Sequence, residues 1–166
     1  MAGASLHVAT ICTGNICRSP MAEVAIKHLI ADDALLKDVV VVTSAGTARW
    51  HVGSAMDPRA RAALDRAGLR LPGSVAAYAD DAYLERQDLV LVMTREHLHE
   101  VKGRLKPTAE VVLWRNLLEP RLDLDVPDPY YGDEQEFDEC LAMIRAGGPR
   151  LTSVLHQQLG EHSYEV

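Results

Sequence analysis

Four short apolar runs, separated by stretches of helical periodicity, constrain this chain more than any other feature. Residues 6–11, 39–42, 89–93 and 110–114 read as strands, the first two rich in β-branched side chains. After Pro20, residues Ala22, Ala25, Ile26, Leu29 and Ile30 recur at helical spacing, with Arg18 or Ser19 as the start. Asp57-Pro58 reads as an N-cap followed by proline at the first helical position. Ala60, Ala63, Leu64 and Ala67 form that helix's inner face, and Gly68 stops it. Short helices are expected over 79–86 and 95–101. A Pro- and Asp-rich loop fills 118–132. A last amphipathic helix begins with Phe137, Leu141 and Ile144, and Gly147-Gly148-Pro149 kinks or breaks it. Strands that alternate with helices imply parallel pairing, because each return to the sheet needs a crossover. The expected fold is therefore α/β, a three-layer sandwich with a central four-stranded parallel sheet flanked by helices on both faces. The 166 residues suit one domain spanning 1–166.

Composition narrows the function. Seventeen basic against twenty-four acidic side chains give a formal net charge of −7, which opposes general binding to nucleic acid or an anionic membrane. An anionic ligand then needs a small local positive site. The start of the chain lacks the basic and long apolar segments of a secretory signal, and no run reaches membrane-spanning length. Three cysteines, Cys12, Cys17 and Cys140, make no disulfide framework. A reducing cytoplasm is the expected location, and a monomer the expected state.

The local positive site is found in "CTGNICRSP", residues 12–20, between the first strand and the first helix. In an α/β sheet, ligands bind beyond the carboxyl ends of the strands, where Cys12 stands. Backbone N–H groups of such a turn, at the positive end of a helix, form a nest for phosphate-like anions. Gly14 lets the backbone bend, and Asn15 tolerates a left-handed conformation or ties the loop with its side chain. Arg18 adds a planar fork of donors. The field that holds an anion also stabilises a thiolate, and Ser19 can donate to its sulfur. Taken singly, each residue has a plainer reading: Cys12 as core, Arg18 as solvated surface, Cys12 and Cys17 as a metal or redox pair. A zinc site is disfavoured, since no second cysteine pair follows and the histidines His7, His28, His51, His97, His99, His156 and His162 are scattered.

The run Cys12-Thr13-Gly14-Asn15-Ile16-Cys17-Arg18-Ser19, followed by Pro20-Met21-Ala22-Glu23, resembles the signature of the low-molecular-weight protein tyrosine phosphatases. "TSAGT" at 43–47, a Trp…Gly…Asp-Pro-Arg-Ala pattern over 50–60, and "DPYYG" at 128–132 agree with that family in order and spacing. The resemblance implies Cys12 as nucleophile, Arg18 and the loop amides of Thr13, Gly14, Asn15, Ile16, Cys17 and Ser19 as the phosphate cradle, and Asp128 as general acid and base. It implies no metal and no cofactor, and a phosphotyrosine-containing protein or peptide as substrate. Trp50, Tyr130 and Tyr131 resemble the aromatic walls of the family's cleft; core packing is the plainer reading.

Ile16 bears on substrate choice. The related protein arginine phosphatases carry Thr at the corresponding place, so an apolar Ile16 favours an aryl phosphate over a phosphoguanidine. A phosphoarginine phosphatase, or a thiol redox or anion-binding module without phosphatase activity, are the competing readings. The central cysteines of thioredoxin-coupled arsenate reductases are missing from 70–100. Cys17 reads equally as the partner of a reversible disulfide with Cys12 or as a thiol packed beneath the loop; Cys140 reads as core. Two departures from the family stand out. "GLRLPGSVAAY" lacks the His and Arg that some relatives carry there, and Met93-Thr94 stands where the family has Met-Asp. The support of the loop is therefore expected to differ in detail.

Overall fold

The computed structural model describes residues 5–162. Strands β1 (Leu6–Cys12), β2 (Val40–Gly46), β3 (Leu89–Val92) and β4 (Glu110–Leu113) form one sheet in the order β2-β1-β3-β4. Every pairing is parallel, with Cys12 opposite Gly46 and Ile11 opposite Val92. Helices α1 (Arg18–Ala31), α2 (Pro58–Arg66), α3 (Asp81–Glu85), α4 (Arg95–Lys102), α5 (Glu134–Ala146) and α6 (Gly148–His162) complete the chain, with a 3-10 turn at Trp114–Leu117. The expected three-layer α/β sandwich is the observed one.

Alternation along the strands builds two cores. Successive side chains of a strand point to opposite faces. Leu6, Val8 and Cys12 of β1, with Leu89 and Leu91 of β3, join the larger cluster together with Met21, Phe137, Ile144 and Leu155 from α1, α5 and α6. Ala9, Ile11, Val90 and Val92 turn to the other face, against Leu84 of α3 and Val101 of α4. Each fully buried Leu, Ile or Val stabilises the fold by about 1.5–3 kcal/mol, so the central strands carry much of its stability. Because β1 is covered on both faces it reads as an almost continuous apolar run.

Element ends differ from the sequence expectation where pairing or capping intervenes. β2 runs on through Ser44, Ala45 and Gly46, because β1 continues to Cys12 and supplies a partner for each. Trp114 leaves the sheet and opens the 3-10 turn, with its ring buried in the larger core. Residues 147–149 break the last helical stretch into two: the N–H of Gly147 closes α5, and α6 begins at Gly148. Asp57 caps α2 as expected, accepting from the N–H of Arg59, with Pro58 behind it.

The topology makes one crevice. From β1 the chain crosses to β2 on one side, while its other neighbour β3 leads on to β4 on the far side. At such a switch point the connections diverge beyond the strand ends and leave an open mouth. Gly46 borders that mouth: a Cβ there would lie 2.5 Å from the carbonyl oxygen of Thr13 and 3.2 Å from the backbone nitrogen of Asn15. Both neighbours are held in place, so a methyl group forces the loop aside. Gly46→Ala is expected to cost about 1–3 kcal/mol of stability and to weaken binding of inorganic phosphate; denaturant melts and calorimetry of the variant measure both.

Candidate active site

The loop of residues 13–17 is shaped by Asn15. It is buried and sits at φ 56°, in the left-handed region, one of the two readings its sequence position allowed; its side chain fulfils the other as well. Its side chain fixes three partners. The Nδ2 amide donates to Ser19 Oγ at 2.8 Å and to Ser44 Oγ at 2.9 Å, and Oδ1 accepts from the N–H of Ala77 at 2.9 Å. Gly14 stands in the bend expected of it. A Cβ on it would also meet Cδ2 of His51 at 2.9 Å, so a side chain there would push the imidazole aside. The carbonyl oxygens of Cys12, Thr13 and Ile16 accept from the N–H groups of Thr47, Ala48 and Asp57. The carbonyls of Thr13 and Ile16 are thereby taken up by the segments that flank the loop.

Cys12 ends β1 at the floor of that cleft, 2% exposed, with Sγ 3.0 Å from Ser19 Oγ. Since Asn15 already donates to Ser19 Oγ, the serine's own hydrogen is left for the sulfur. Cys17 is the N-cap of α1 and makes no side-chain cap bond, whereas Asp57, Asp80, Thr94 and Asp133 cap α2 to α5. The first turn of α1 therefore keeps free donors facing the cleft. Burial, then the carboxylate of Asp57 and the neighbouring Cys12, push the Cys17 thiol far above its ordinary range. Burial likewise pushes Cys140 up to about 12, which fits the core thiol expected of it. All three cysteines are free and buried.

Arg18 is buried, and its guanidinium reaches the acid loop. It donates to the carbonyl of Val126 at 3.2 Å and to Asp128 Oδ2 at 3.3 Å. The other oxygen of Asp128 accepts from the N–H of Tyr130 at 3.2 Å. A cleft of about 180 Å³ is lined by Cys12, Ile16, Arg18, His51, Asp128 and Tyr130, with Thr13, Gly14, Cys17, Trp50 and Tyr131 completing the wall. Asn15 and Ser19 stand behind that wall as supports. Trp50 and Tyr131 are 78% and 93% exposed, so they form a rim and not a core. The rings of Tyr130 and Tyr131 meet edge to face, centroids 4.9 Å apart.

A thiol, the backbone of the 13–17 loop, a guanidinium and a carboxylate thus share one cleft. The family model for low molecular weight phosphotyrosine protein phosphatases matches residues 7–162. The chain belongs to that family. It is 40% identical over 160 residues to a low molecular weight protein-tyrosine-phosphatase of Streptomyces coelicolor, covering 92% of this chain and 95% of the relative. The protein tyrosine phosphatase of Entamoeba histolytica, solved with Hepes in its active site, matches with a TM-score of 0.84 at 26% identity. That match covers 93% of this chain and 99% of the other. The YwlE arginine phosphatase, solved with a phosphorylated active-site serine, matches with a TM-score of 0.79 at 26% identity, over 93% and 99% of the two chains.

The part that Asp57 and Arg59 play beside the phosphatase's cleft was not read from the sequence. Asp57 binds its N–H to Ile16 of the loop and its carboxylate to Arg59. Arg59 donates to the carbonyl of Gly132 at 3.3 Å and lies over the rings of Phe137 (4.6 Å) and Tyr130 (5.4 Å), tying the loop to the acid segment. The Arg59 hydrogen bond holds the Asp57 carboxyl below its usual range, against the opposing effect of burial. In the segment where some relatives carry a His and an Arg, Ser74 donates to the buried Glu23, and Ala77 supplies the N–H that Asn15 accepts. Thr94, in place of the family's Asp, caps α4 through the N–H of His97. Among the described residues, no group of three or more His, Cys, Asp or Glu side chains is placed to hold a metal ion, and no helix is long and apolar enough to cross a membrane.

His97 itself is 2% exposed and bonds Thr13 Oγ1 through Nε2 at 2.8 Å. Burial first, and the nearby Arg18 second, push its pKa from 6.5 down to about 4, with Asp125 opposing weakly. Between those two values the unfolded chain holds a proton that the folded chain lacks. The contribution is complete above pH 6.5 and drains away as pH falls toward 4. Acidification from about pH 7.5 to 5 is therefore expected to cost about 2 kcal/mol through His97. Denaturant melts at the two pH values should show that extra loss in the parent chain and lack it in His97→Gln.

Proposed function

We propose that this chain is a protein tyrosine phosphatase working through a phosphocysteine. The observation that carries the reading is the meeting of Cys12, Arg18 and Asp128 in one cleft, with Ser19 behind the sulfur. The Cys12 thiolate attacks phosphorus in line; the S–P bond forms as the P–O bond to the phenol breaks. Ser19 supports the thiolate through its hydroxyl. Arg18 and the loop N–H groups hold the equatorial oxygens as charge shifts in the transition state. The Asp128 acid gives its proton to the departing phenolate. As a carboxylate it then takes a proton from water, which attacks phosphorus, releases inorganic phosphate and restores the thiolate. The positive charge in this scheme comes from Arg18, the α1 N-terminus and the amides. A free nucleophilic thiol suits a reducing compartment, in keeping with a cytoplasmic enzyme.

Phosphotyrosine is the preferred substrate in this reading. Ile16 gives the wall an apolar patch beside Cys12, and Trp50, Tyr130 and Tyr131 stand where an aryl ring passes the rim. The likeness to YwlE keeps phosphoarginine as the second reading, since one fold serves both. Ile16 offers no hydroxyl to a phosphoguanidine.

Cys12→Ser is expected to abolish turnover of a phosphotyrosyl peptide while leaving the fold intact. Asp128→Asn is expected to lower kcat by about 10²–10⁴-fold, less for phenols that leave easily. Stopped assays of phosphate release without added thiol check both, and full activity of Cys12→Ser would sink the mechanism. Ile16→Thr is expected to shift the ratio of kcat/KM values toward a phosphoarginyl peptide. An unchanged ratio removes Ile16 as the determinant, and a parent chain that prefers phosphoarginine promotes the second reading.

A further inference from the structure

The loop that ends β1 is gripped from two sides. From the side of α1, Asn15 and Ser19 hold it. From the other face of the sheet it is reached by His97, in the first turn of α4, whose Nε2 lies 2.8 Å from Thr13 Oγ1. This contact bridges the crevice between β1 and β3, and no other hydrogen bond of the Thr13 hydroxyl is seen among the described residues. Thr13 lines the cleft beside Cys12.

The imidazole's proton decides what Thr13 presents to a ligand. His97 Nδ1 is buried without a partner. Around the ring stand Arg18 of α1, Thr94 of the α4 cap, and Asp125, whose carboxylate is already engaged by the N–H and Nε of Arg95. A ring pushed down to about 4 is neutral at ordinary pH and carries one N–H. Were that hydrogen on Nδ1, a buried donor would be stranded in the positive field of Arg18, and the Thr13 hydrogen would be spent on Nε2. With the hydrogen on Nε2, Nδ1 keeps only a lone pair, which a neighbouring cation favours. The Thr13 oxygen then accepts from Nε2, and its own hydrogen is free to face the cleft.

We infer that His97 is a positioning residue that makes the Thr13 hydroxyl a hydrogen-bond donor to the substrate's phosphate. The inference rests on the phosphatase reading above. It adds a donor from the α4 side of the crevice to the amides and guanidinium that come from α1.

The test measures phosphate binding apart from turnover. Inorganic phosphate is titrated by calorimetry into Cys12→Ser protein carrying Thr13→Val, His97→Leu, both, or His97→Gln. The kcat/KM on a phosphotyrosyl peptide is measured for the same changes with Cys12 intact. A hydrogen bond to a charged oxygen predicts about a tenfold loss of phosphate affinity for Thr13→Val and for His97→Leu. The double variant should lose no more than either single one, and His97→Gln, which keeps an N–H near the place of Nε2, should recover most of the affinity. Undiminished phosphate affinity in Thr13→Val overturns the inference, and so do losses that multiply in the double variant. If His97→Leu fails to fold, Thr13→Val and His97→Gln decide alone. A parent chain that hydrolyses nothing, yet shows this pattern of phosphate binding, refutes the phosphatase reading and upholds the Thr13 donor. An active parent whose affinity ignores both residues does the reverse.

Discussion

The amide of Asn15 sets the geometry on which the rest of the cleft depends. One buried side chain in a left-handed backbone conformation joins the loop to α1 through Ser19, to β2 through Ser44 and to the 70s segment through the N–H of Ala77. The bonds to Ser19 and Ser44 are buried, and a buried amide deprived of such partners is costly. The loop therefore has one way to sit. The donor state of Ser19 beneath Cys12 follows from the same clasp. Preorganisation of this kind lets dipoles act on a reacting group without first having to turn.

A protein with a net charge of −7 must make its positive site locally, and the topology shows how. The α1 N-terminus, left uncapped, aims its dipole at the end of β1, and Arg18 stands in the first turn of the same helix. Burial strengthens both, since little water screens them. Along the rim, Arg59 reads as one joint between loop and acid segment: it is paired with Asp57, stacked on two rings and bonded to Gly132. Cys12, the loop and Arg18 come from one stretch and Asp128 from another 110 positions on, yet Arg18 joins the two directly.

Much of this was legible in the sequence because it is local. The strand–loop–helix unit from Leu6 to Ala31 declares itself through an apolar run, a turn with Gly14 and Asn15, and helical periodicity. The Asp57-Pro58 cap is likewise written in adjacent residues. What stayed hidden is what joins residues far apart. His97 meets Thr13 across 84 positions, and nothing in the "REHLHEVK" segment distinguishes it from His99, which lies on the solvent side of the same helix. Arg59 carries no signal that it will reach Gly132. The strand ends were misjudged for the same reason: β2 extends to Gly46 because of what β1 offers beside it, not because of its own composition.

The grip of Arg18 on Val126 and Asp128 bears on how tightly an oxyanion can be held here. An oxyanion that takes the guanidinium must compete with a carbonyl and a carboxylate that the protein supplies. Its net affinity is smaller by whatever those contacts are worth. For a product as simple as inorganic phosphate, with no ring to grasp the rim, that competitor waits at the exit. The acid loop is in this sense a built-in rival ligand, and it favours a site that empties over one that is poisoned by what it makes.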